Sequence, residues 1–117
     1  MLHNSCLFCK IANKEIEIEL VAENGGVIAI KDINPKAPVH YLIIPKQHMC
    51  SMADFPSSGS LAAEMFEMVK KLAEKLEEPK AFNIVSNNGA PAGQVVMHLH
   101  WHFLSGKNIY EEGGFSL

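Results

Sequence analysis

The chain has 117 residues, of which 48% are hydrophobic and 20% charged, and its formal net charge at pH 7 is -3. This composition predicts one globular domain over residues 1–117 and argues against a nucleic-acid partner held by a basic surface. No run approaches the ~20 apolar residues of a membrane span, and the first residues lack the basic and apolar stretches of a signal peptide. We therefore expect a cytoplasmic protein with no membrane partner and with reduced cysteines.

The first predicted element is a short helix over residues 5–13. Ser5 can cap its start. The helix would place Cys6 and Cys9 on one face, one turn apart. Its apolar residues have the i, i+3, i+4 spacing of a buried helix face: Phe8, Ile11 and Ala12.

The rest of the chain predicts an α+β fold, mainly antiparallel sheet with one long helix. The pair Asn24-Gly25 is typical of a hairpin turn between the first two strands. The long helix, over residues 60–77, has apolar residues at every third or fourth position and ends before Pro79. A glycine-containing loop spans residues 87–93. The predicted strands are 20–22, 27–31, 40–44, 82–86 and 98–104.

Three of the six histidines lie in the last of these strands, where His98, His100 and His102 alternate with apolar residues. Successive side chains of a strand point to opposite faces, so the three imidazoles would share one face. The other face would pack on a core through Leu99, Trp101 and Phe103. The alternative is a strand whose polar face uses histidine without a chemical role. Grouped titratable rings favour a catalytic or binding face.

Segment 93–104 resembles the signature of the histidine triad (HIT) family, His-φ-His-φ-His-φ-φ with φ apolar. Segments 8–11 and 31–46 resemble the Hint branch of that family. The resemblance implies a five-stranded antiparallel sheet with two helices, and a homodimer in which two sheets join into one of ten strands. It also implies hydrolysis or transfer of nucleoside monophosphates, and for the Hint branch the cleavage of adenosine phosphoramidates.

The same resemblance assigns roles to individual residues. His100 matches the nucleophile, which would attack the α-phosphate of a purine nucleotide of the AMP or GMP type and form a covalent intermediate. His102 would hydrogen-bond that phosphate, and His40 would support the active-site network or pair in the core. The other residues that match nucleotide contacts or the base pocket are Phe8, Ile11, Asp32, Ile33, Leu42, Asn87, Gly93 and Gln94.

Some of these matches have simpler explanations. Asp32 and Asn87 also suit turns, and Phe8 and Ile11 also suit plain core packing. Val95 departs from the family pattern, which usually has Ser or Thr there to assist the leaving group, and valine can neither donate nor accept a hydrogen bond. Two alternatives therefore stay open: a zinc-stabilised nucleotide-binding module with little turnover, and a dinucleoside polyphosphate hydrolase or nucleotidyltransferase.

A second predicted site starts from Cys6-x-x-Cys9, which has the spacing of half a tetrahedral zinc site. Two cysteines packed in the core are the alternative. Some HIT-superfamily proteins, including galactose phosphate uridylyltransferases, complete such a site with two histidines, which correspond here to His48 and His98. Because four protein ligands would close the coordination shell, the resemblance implies a structural Zn²⁺.

The remaining predictions concern residues outside these sites. Cys50 is predicted to be a buried or partly buried thiol, and His3 to be solvated. The tail from 107 to 117 is predicted to reach toward the neighbouring subunit's pocket in the homodimer. Its candidate anchors are Ile109, Tyr110 and Phe115.

Overall fold

Five antiparallel strands form one sheet in the computed structural model, which describes residues 6–111 and residue 117. The strands lie in the order β1-β2-β3-β5-β4. Two helices complete the α+β fold, which confirms the predicted fold class. The elements are α1 (Leu7–Ala12), β1 (Ala22–Glu23), β2 (Val27–Lys31), β3 (Val39–Pro45), α2 (Leu61–Glu74), β4 (Phe82–Val85) and β5 (Trp101–Ser105).

The two faces of the sheet carry different apolar clusters. Helix α2 packs on one face, and the alternation predicted for the last strand holds, because Leu99, Trp101 and Phe103 all lie in this cluster. Helix α1 packs on the other face with residues of β2 and β3, including Leu42. Substituting a fully buried α2 residue such as Leu72 by alanine should cost about 2–5 kcal/mol of stability.

The strand that carries the histidines starts later than predicted, at Trp101 instead of His98. Its pairing with β3 ends at Ile43 opposite Trp101. Pro45 has no N–H to extend the ladder, and its carbonyl accepts a hydrogen bond from the His98 ring at 2.8 Å. His98 and His100 therefore precede the ladder, held by side-chain bonds and by the Leu99 N–H, which donates to Met49 O at 2.8 Å.

Both helices differ from prediction at one end. The N-cap of α1 is Cys6, whose Sγ accepts the Cys9 N–H, so the predicted cap by Ser5 is wrong and Ser5 itself lies outside the described residues. Helix α2 ends at Glu74. Its last turn is tightened by a bond from Lys75 N–H to Leu72 O, ahead of Pro79.

Three smaller predictions have mixed outcomes. Cys50 is exposed, so its predicted burial is wrong, because its carbonyl and not its thiol faces the protein. Ile109 is buried against Ala37 and Leu104, whereas Tyr110 is exposed. The predictions for His3 and Phe115 lie outside the described residues. Within residues 6–111, no helix is long and apolar enough to cross a membrane.

Candidate functional site

Three imidazoles meet on the face of the sheet that α1 covers. His100 directly precedes β5 and His102 lies within it. His40 comes from β3, which is hydrogen-bonded to β5. All three rings are buried. Phe8 of α1 lies edge-on to His100, with ring centroids 5.2 Å apart. The predicted histidine face is therefore present, and Phe8 of α1 covers part of it.

The tautomer of His100 follows from a main-chain partner. Its Nδ1 is 2.8 Å from the carbonyl oxygen of His98. A carbonyl can only accept, so Nδ1 carries the proton in the neutral ring, and the lone pair is on Nε2. His100 thus has its basic nitrogen on the side away from the main chain.

The tautomer of His102 is fixed in the opposite sense by two successive hydrogen bonds. The main-chain N–H of Lys36 donates to His40 Nδ1 at 3.0 Å, so the proton of neutral His40 is on Nε2. That Nε2–H donates to His102 Nδ1 at 2.9 Å, which puts the His102 proton on Nε2. Asp32 Oδ2 is 3.4 Å from His40 Nε2. The two neighbouring rings therefore offer one lone pair and one N–H donor.

Burial keeps these rings neutral at pH 7. It lowers the pKa of His40 and of His100 below the usual value of 6.5, although Asp32 acts in the opposite direction on both. Burial, reinforced by the neighbouring His100 and His40, lowers the pKa of His102 to about 4. A neutral ring with its lone pair available can act as a nucleophile without first losing a proton.

A second cluster joins α1 to the segment that follows β3 and to the segment that precedes β5. We call Cys6, Cys9, His48 and His98 the metal centre, because their ligand atoms lie close enough to hold one ion. The sulfur–Nδ1 distances are 3.5 and 3.2 Å for Cys6, and 3.2 and 3.4 Å for Cys9, to His48 and His98 respectively. The two Nδ1 atoms are 3.2 Å apart.

These distances fit a tetrahedral cation. With Zn–S of ~2.3 Å and Zn–N of ~2.0–2.1 Å, the edges of a tetrahedron are about 3.5 Å for S···N and 3.3 Å for N···N. His98 Nε2 donates to Pro45 O, which leaves the lone pair on the Nδ1 that faces the cluster. Burial, with Cys6 adjacent, raises the pKa of the Cys9 thiol to about 12, so a cation must displace that proton to bind.

Another trio of residues with suitable ligand atoms, Asp32, His40 and His102, is better explained by hydrogen bonds. A neutral histidine that binds a metal through Nε2 carries its proton on Nδ1. Nδ1 of His40 instead accepts the Lys36 N–H, so metal binding would set two N–H groups against each other. The short contact between His40 and His102 is therefore a hydrogen bond within the histidine network.

The predicted nucleotide contacts lie in two regions, one around Asp32 and helix α1 and the other around loop 87–93. Asp32 Oδ1 accepts the Asn34 N–H at 2.7 Å in a turn, and its Oδ2 lies 3.4 Å from His40 Nε2, while its contact with a ribose stays a prediction. Ile33 is 87% exposed, whereas Phe8 and Ile11 are buried in the α1 cluster with Leu42.

Loop 87–93 contains or precedes the other predicted contacts. Gly93 has φ +98°, a left-handed conformation that favours glycine, and Asn87 lies beside it. Gln94 is buried, and its amide bonds three main-chain groups: it accepts from Gly89 N–H and donates to Cys50 O and Val96 O. Val95 is 82% exposed.

Sequence reasoning missed several groups that organise these sites. The Lys36 N–H and the carbonyls of Pro45 and His98 are main-chain atoms, which no side-chain pattern reveals. Asn88, whose Oδ1 accepts the Met52 N–H at 2.7 Å, could have been suspected from the Asn87-Asn88-Gly89 loop.

Comparison with known proteins decides the family. A family model described as the HIT domain matches residues 13–109. The chain belongs to the HIT domain family. It is 41% identical over 102 residues to Protein HitA of Neisseria gonorrhoeae, covering 86% of this chain and 95% of that protein. The resemblance found in the sequence is thereby confirmed.

Solved structures agree with this assignment. A HIT family hydrolase from Legionella pneumophila is 40% identical with a TM-score of 0.81, covering 93% of this HIT chain and 99% of that one. A histidine triad nucleotide-binding protein from Candida albicans is 33% identical with a TM-score of 0.76, covering 89% and 76%. A Zn-bound histidine triad family protein from Mycobacterium smegmatis is 28% identical with a TM-score of 0.77, covering 96% and 83%.

Proposed function

We propose that this HIT protein hydrolyses purine nucleoside phosphoramidates or related nucleotidyl conjugates at the α-phosphate, through a covalent nucleotidyl-His100 intermediate. One observation carries the proposal: His100 and His102 are adjacent, neutral and set in opposite tautomers, His100 by the His98 carbonyl and His102 by the His40 ring. A phosphoryl centre needs a lone pair for attack and donors for its oxygens, and the pair offers one of each. The hydrolase from Legionella pneumophila supports the reaction class.

The reaction proceeds in two displacements. His100 Nε2 forms a bond to the α-phosphorus as the bond to the leaving group breaks. The positive charge that develops on the ring is stabilised by the Nδ1–H bond to His98 O. His102 Nε2–H donates to a non-bridging oxygen, and main-chain N–H groups of loop 87–93 add further donors. Water then attacks phosphorus, releasing the nucleoside monophosphate and restoring neutral His100.

The leaving group takes up a proton from solvent as it departs, and the water that later breaks the P–N bond to His100 returns one proton to solvent. Val95 supplies no hydroxyl at the position where the family usually has one. We therefore propose that conjugates with good leaving groups turn over faster than simple phosphoramidates. A dinucleoside polyphosphate, which releases a nucleotide instead of an amine, remains a second candidate on the same ground.

The nucleotide is proposed to bind with its ribose at Asp32 and its purine base against Ile33. The exposure of Ile33 supports this, because a large apolar side chain in water gains from being covered. Asn87, Gly93 and Gln94 are proposed to shape the phosphate subsite. The buried Phe8, Ile11 and Leu42 would form the floor of the base pocket.

We also propose Zn²⁺ as the occupant of the metal centre, a homodimer, and a cytoplasmic location in which the thiolates stay reduced. The Zn-bound relative from Mycobacterium smegmatis supports the metal. Strand β4 lies at the edge of the sheet with Phe82 and Ile84 exposed, and Phe66 of α2 is exposed as well. An apolar edge of this kind supports pairing with a second copy.

Mass spectrometry of the intact protein tests the covalent step. After incubation with adenosine phosphoramidate or an aryl ester of AMP and rapid acid quench, the wild type should gain the mass of one nucleotidyl group. His100→Asn should gain none, yet should still bind AMP, because its amide can keep the bond to His98 O. An adduct on His100→Asn would refute the nucleophile, and AMP binding without adduct or turnover in the wild type would favour the binding module.

A further inference from the structure

One residue belongs to both the metal centre and the histidine site. His98 is fully buried, and its Nδ1 is one of the four converging ligand atoms. Its main-chain carbonyl accepts the Nδ1–H of His100 at 2.8 Å and so sets the tautomer of the proposed nucleophile. The ring is further fixed by its bond to Pro45 O. A rotation of the His98 residue would therefore disturb the cation and the nucleophile together.

Residues 49–52 directly follow His48, the other histidine of the metal centre. This segment bonds loop 87–93 and the residues that follow the loop. Three hydrogen bonds connect the two chain segments, and each uses a main-chain group of 49–52. They are Leu99 N–H to Met49 O at 2.8 Å, Gln94 Nε2–H to Cys50 O at 2.6 Å, and Met52 N–H to Asn88 Oδ1 at 2.7 Å. The position of loop 87–93 thus depends on a segment anchored at His48.

Helix α1 is the third connection between the metal centre and the histidine site, after the His98 carbonyl and the 49–52 segment. This helix has six residues, too few to be stable by itself, and both of its cysteines belong to the metal centre. Phe8 lies between those cysteines and contacts His98 and His100 edge-on, with centroids 5.9 and 5.2 Å away. Losing the cysteine anchors would release the ring that packs against the nucleophile.

We propose that the metal centre positions His100 and loop 87–93 for catalysis, in addition to stabilising the fold. His98, His48 and the two cysteines are positioning residues in this scheme, since none of them touches the substrate. The inference deepens the proposed function by making activity depend on metal occupancy at a site outside the reaction. Without a cation, thiol–imidazole hydrogen bonds must hold these four groups together, and we expect each of the three connections to carry the loosening to the active site.

The test measures the tautomer of His100 and the affinity for AMP, neither of which requires turnover. Protein with ¹⁵N-labelled histidine is studied by NMR when zinc-loaded, after chelation below its melting temperature, and after reloading. The loaded protein should show His100 protonated on Nδ1 alone. The metal-free protein should show mixed tautomers, weaker AMP binding and kcat lower by roughly 10- to 100-fold, all reversed by zinc.

Leu72→Ala is the matched control for lost stability, because Leu72 of α2 is buried in the apolar cluster on the face of the sheet opposite α1. With zinc bound it should melt at a lower temperature, but keep the His100 tautomer, the AMP affinity and kcat within about twofold of the wild type. Metal-free protein that behaves like Leu72→Ala, with only its melting temperature lowered, would overturn the proposal.

A second variant decides the matter if metal-free protein does not fold. Asn88→Ala removes the Oδ1 through which loop 87–93 accepts the Met52 N–H, while leaving all four ligands and Gln94 in place. It should keep one zinc per chain but bind AMP several-fold more weakly, and unchanged binding would contradict the proposed coupling. If loaded wild type turned over no nucleotidyl conjugate, the proposed function would fail, while the tautomer and the AMP affinity would still test this inference.

Discussion

Replacing His40 by leucine tests how the proton on His102 is held. The substitution removes the Nε2–H that donates to His102 Nδ1 at 2.9 Å. The Asp32 carboxylate is an alternative partner, because Asp32, His40 and His102 offer side-chain N and O atoms that all lie within 4.8 Å of one another. His102 would then protonate Nδ1 to donate to Asp32, and its lone pair would face the phosphate.

The size of the effect follows from that exchange of partners. A hydrogen bond to a charged group contributes about 1.5–3 kcal/mol, which corresponds to a roughly 10- to 100-fold preference for the unproductive tautomer. Turnover should fall by a similar factor. Affinity for the uncharged nucleoside, which does not use this donor, should change little.

The matched control is His40→Gln, whose side-chain N–H₂ can take the place of Nε2–H. We expect it to retain most of the activity that His40→Leu loses, and ¹⁵N shifts of His102 should show the proton on Nε2 in the glutamine variant only. Equal losses in both variants, or no loss in either, would refute the assigned role of His40.

Three further predictions use other parts of the molecule. Val95→Ser should raise the cleavage of adenosine phosphoramidate more than that of an aryl ester of AMP, and steady-state kinetics showing equal gains would make the hydroxyl irrelevant. Because the pKa of His102 is about 4 in the fold, against 6.5 when unfolded, the unfolded chain binds more protons between these values. The free energy of unfolding should therefore hold above pH 6.5 and fall by about 3 kcal/mol from this group as the pH drops to 4, and denaturant titrations should show a smaller acid loss for His102→Asn. Elemental analysis should find one zinc per chain in wild type and much less in Cys6→Ser or Cys9→Ser, both with lower melting temperatures; unchanged metal content would leave the cysteines as packing residues.

Periodicity was enough to predict the faces of the main elements. The alternation around His100 places the imidazoles opposite Leu99 and Trp101, as the structure shows, and the spacing in α2 identifies its buried side. Such patterns depend on which side chains can be buried, which is a property of the residue types themselves.

These patterns could not predict where β5 begins or which ring nitrogen of each histidine carries the proton. The ladder of β5 stops at Trp101 because of a proline on the neighbouring strand, and the tautomers depend on the N–H of Lys36 and the carbonyl of His98. These main-chain groups are present at almost every position, so only their placement in the fold gives them a role. Of the metal centre, Cys6 and Cys9 were predicted from their spacing, and His48 and His98 from the family resemblance.

The neutrality of the buried histidines affects how an anionic ligand approaches. A protein of net charge -3 whose proposed phosphate donors are uncharged imidazoles and main-chain amides exerts little long-range attraction on a phosphate. Association should then proceed at an unsteered rate and depend weakly on ionic strength, because recognition begins only at contact distance. Abundant polyanions such as nucleic acids and free polyphosphates would then gain little advantage from their charge, and the proposed site would select by shape and by the direction of its hydrogen bonds.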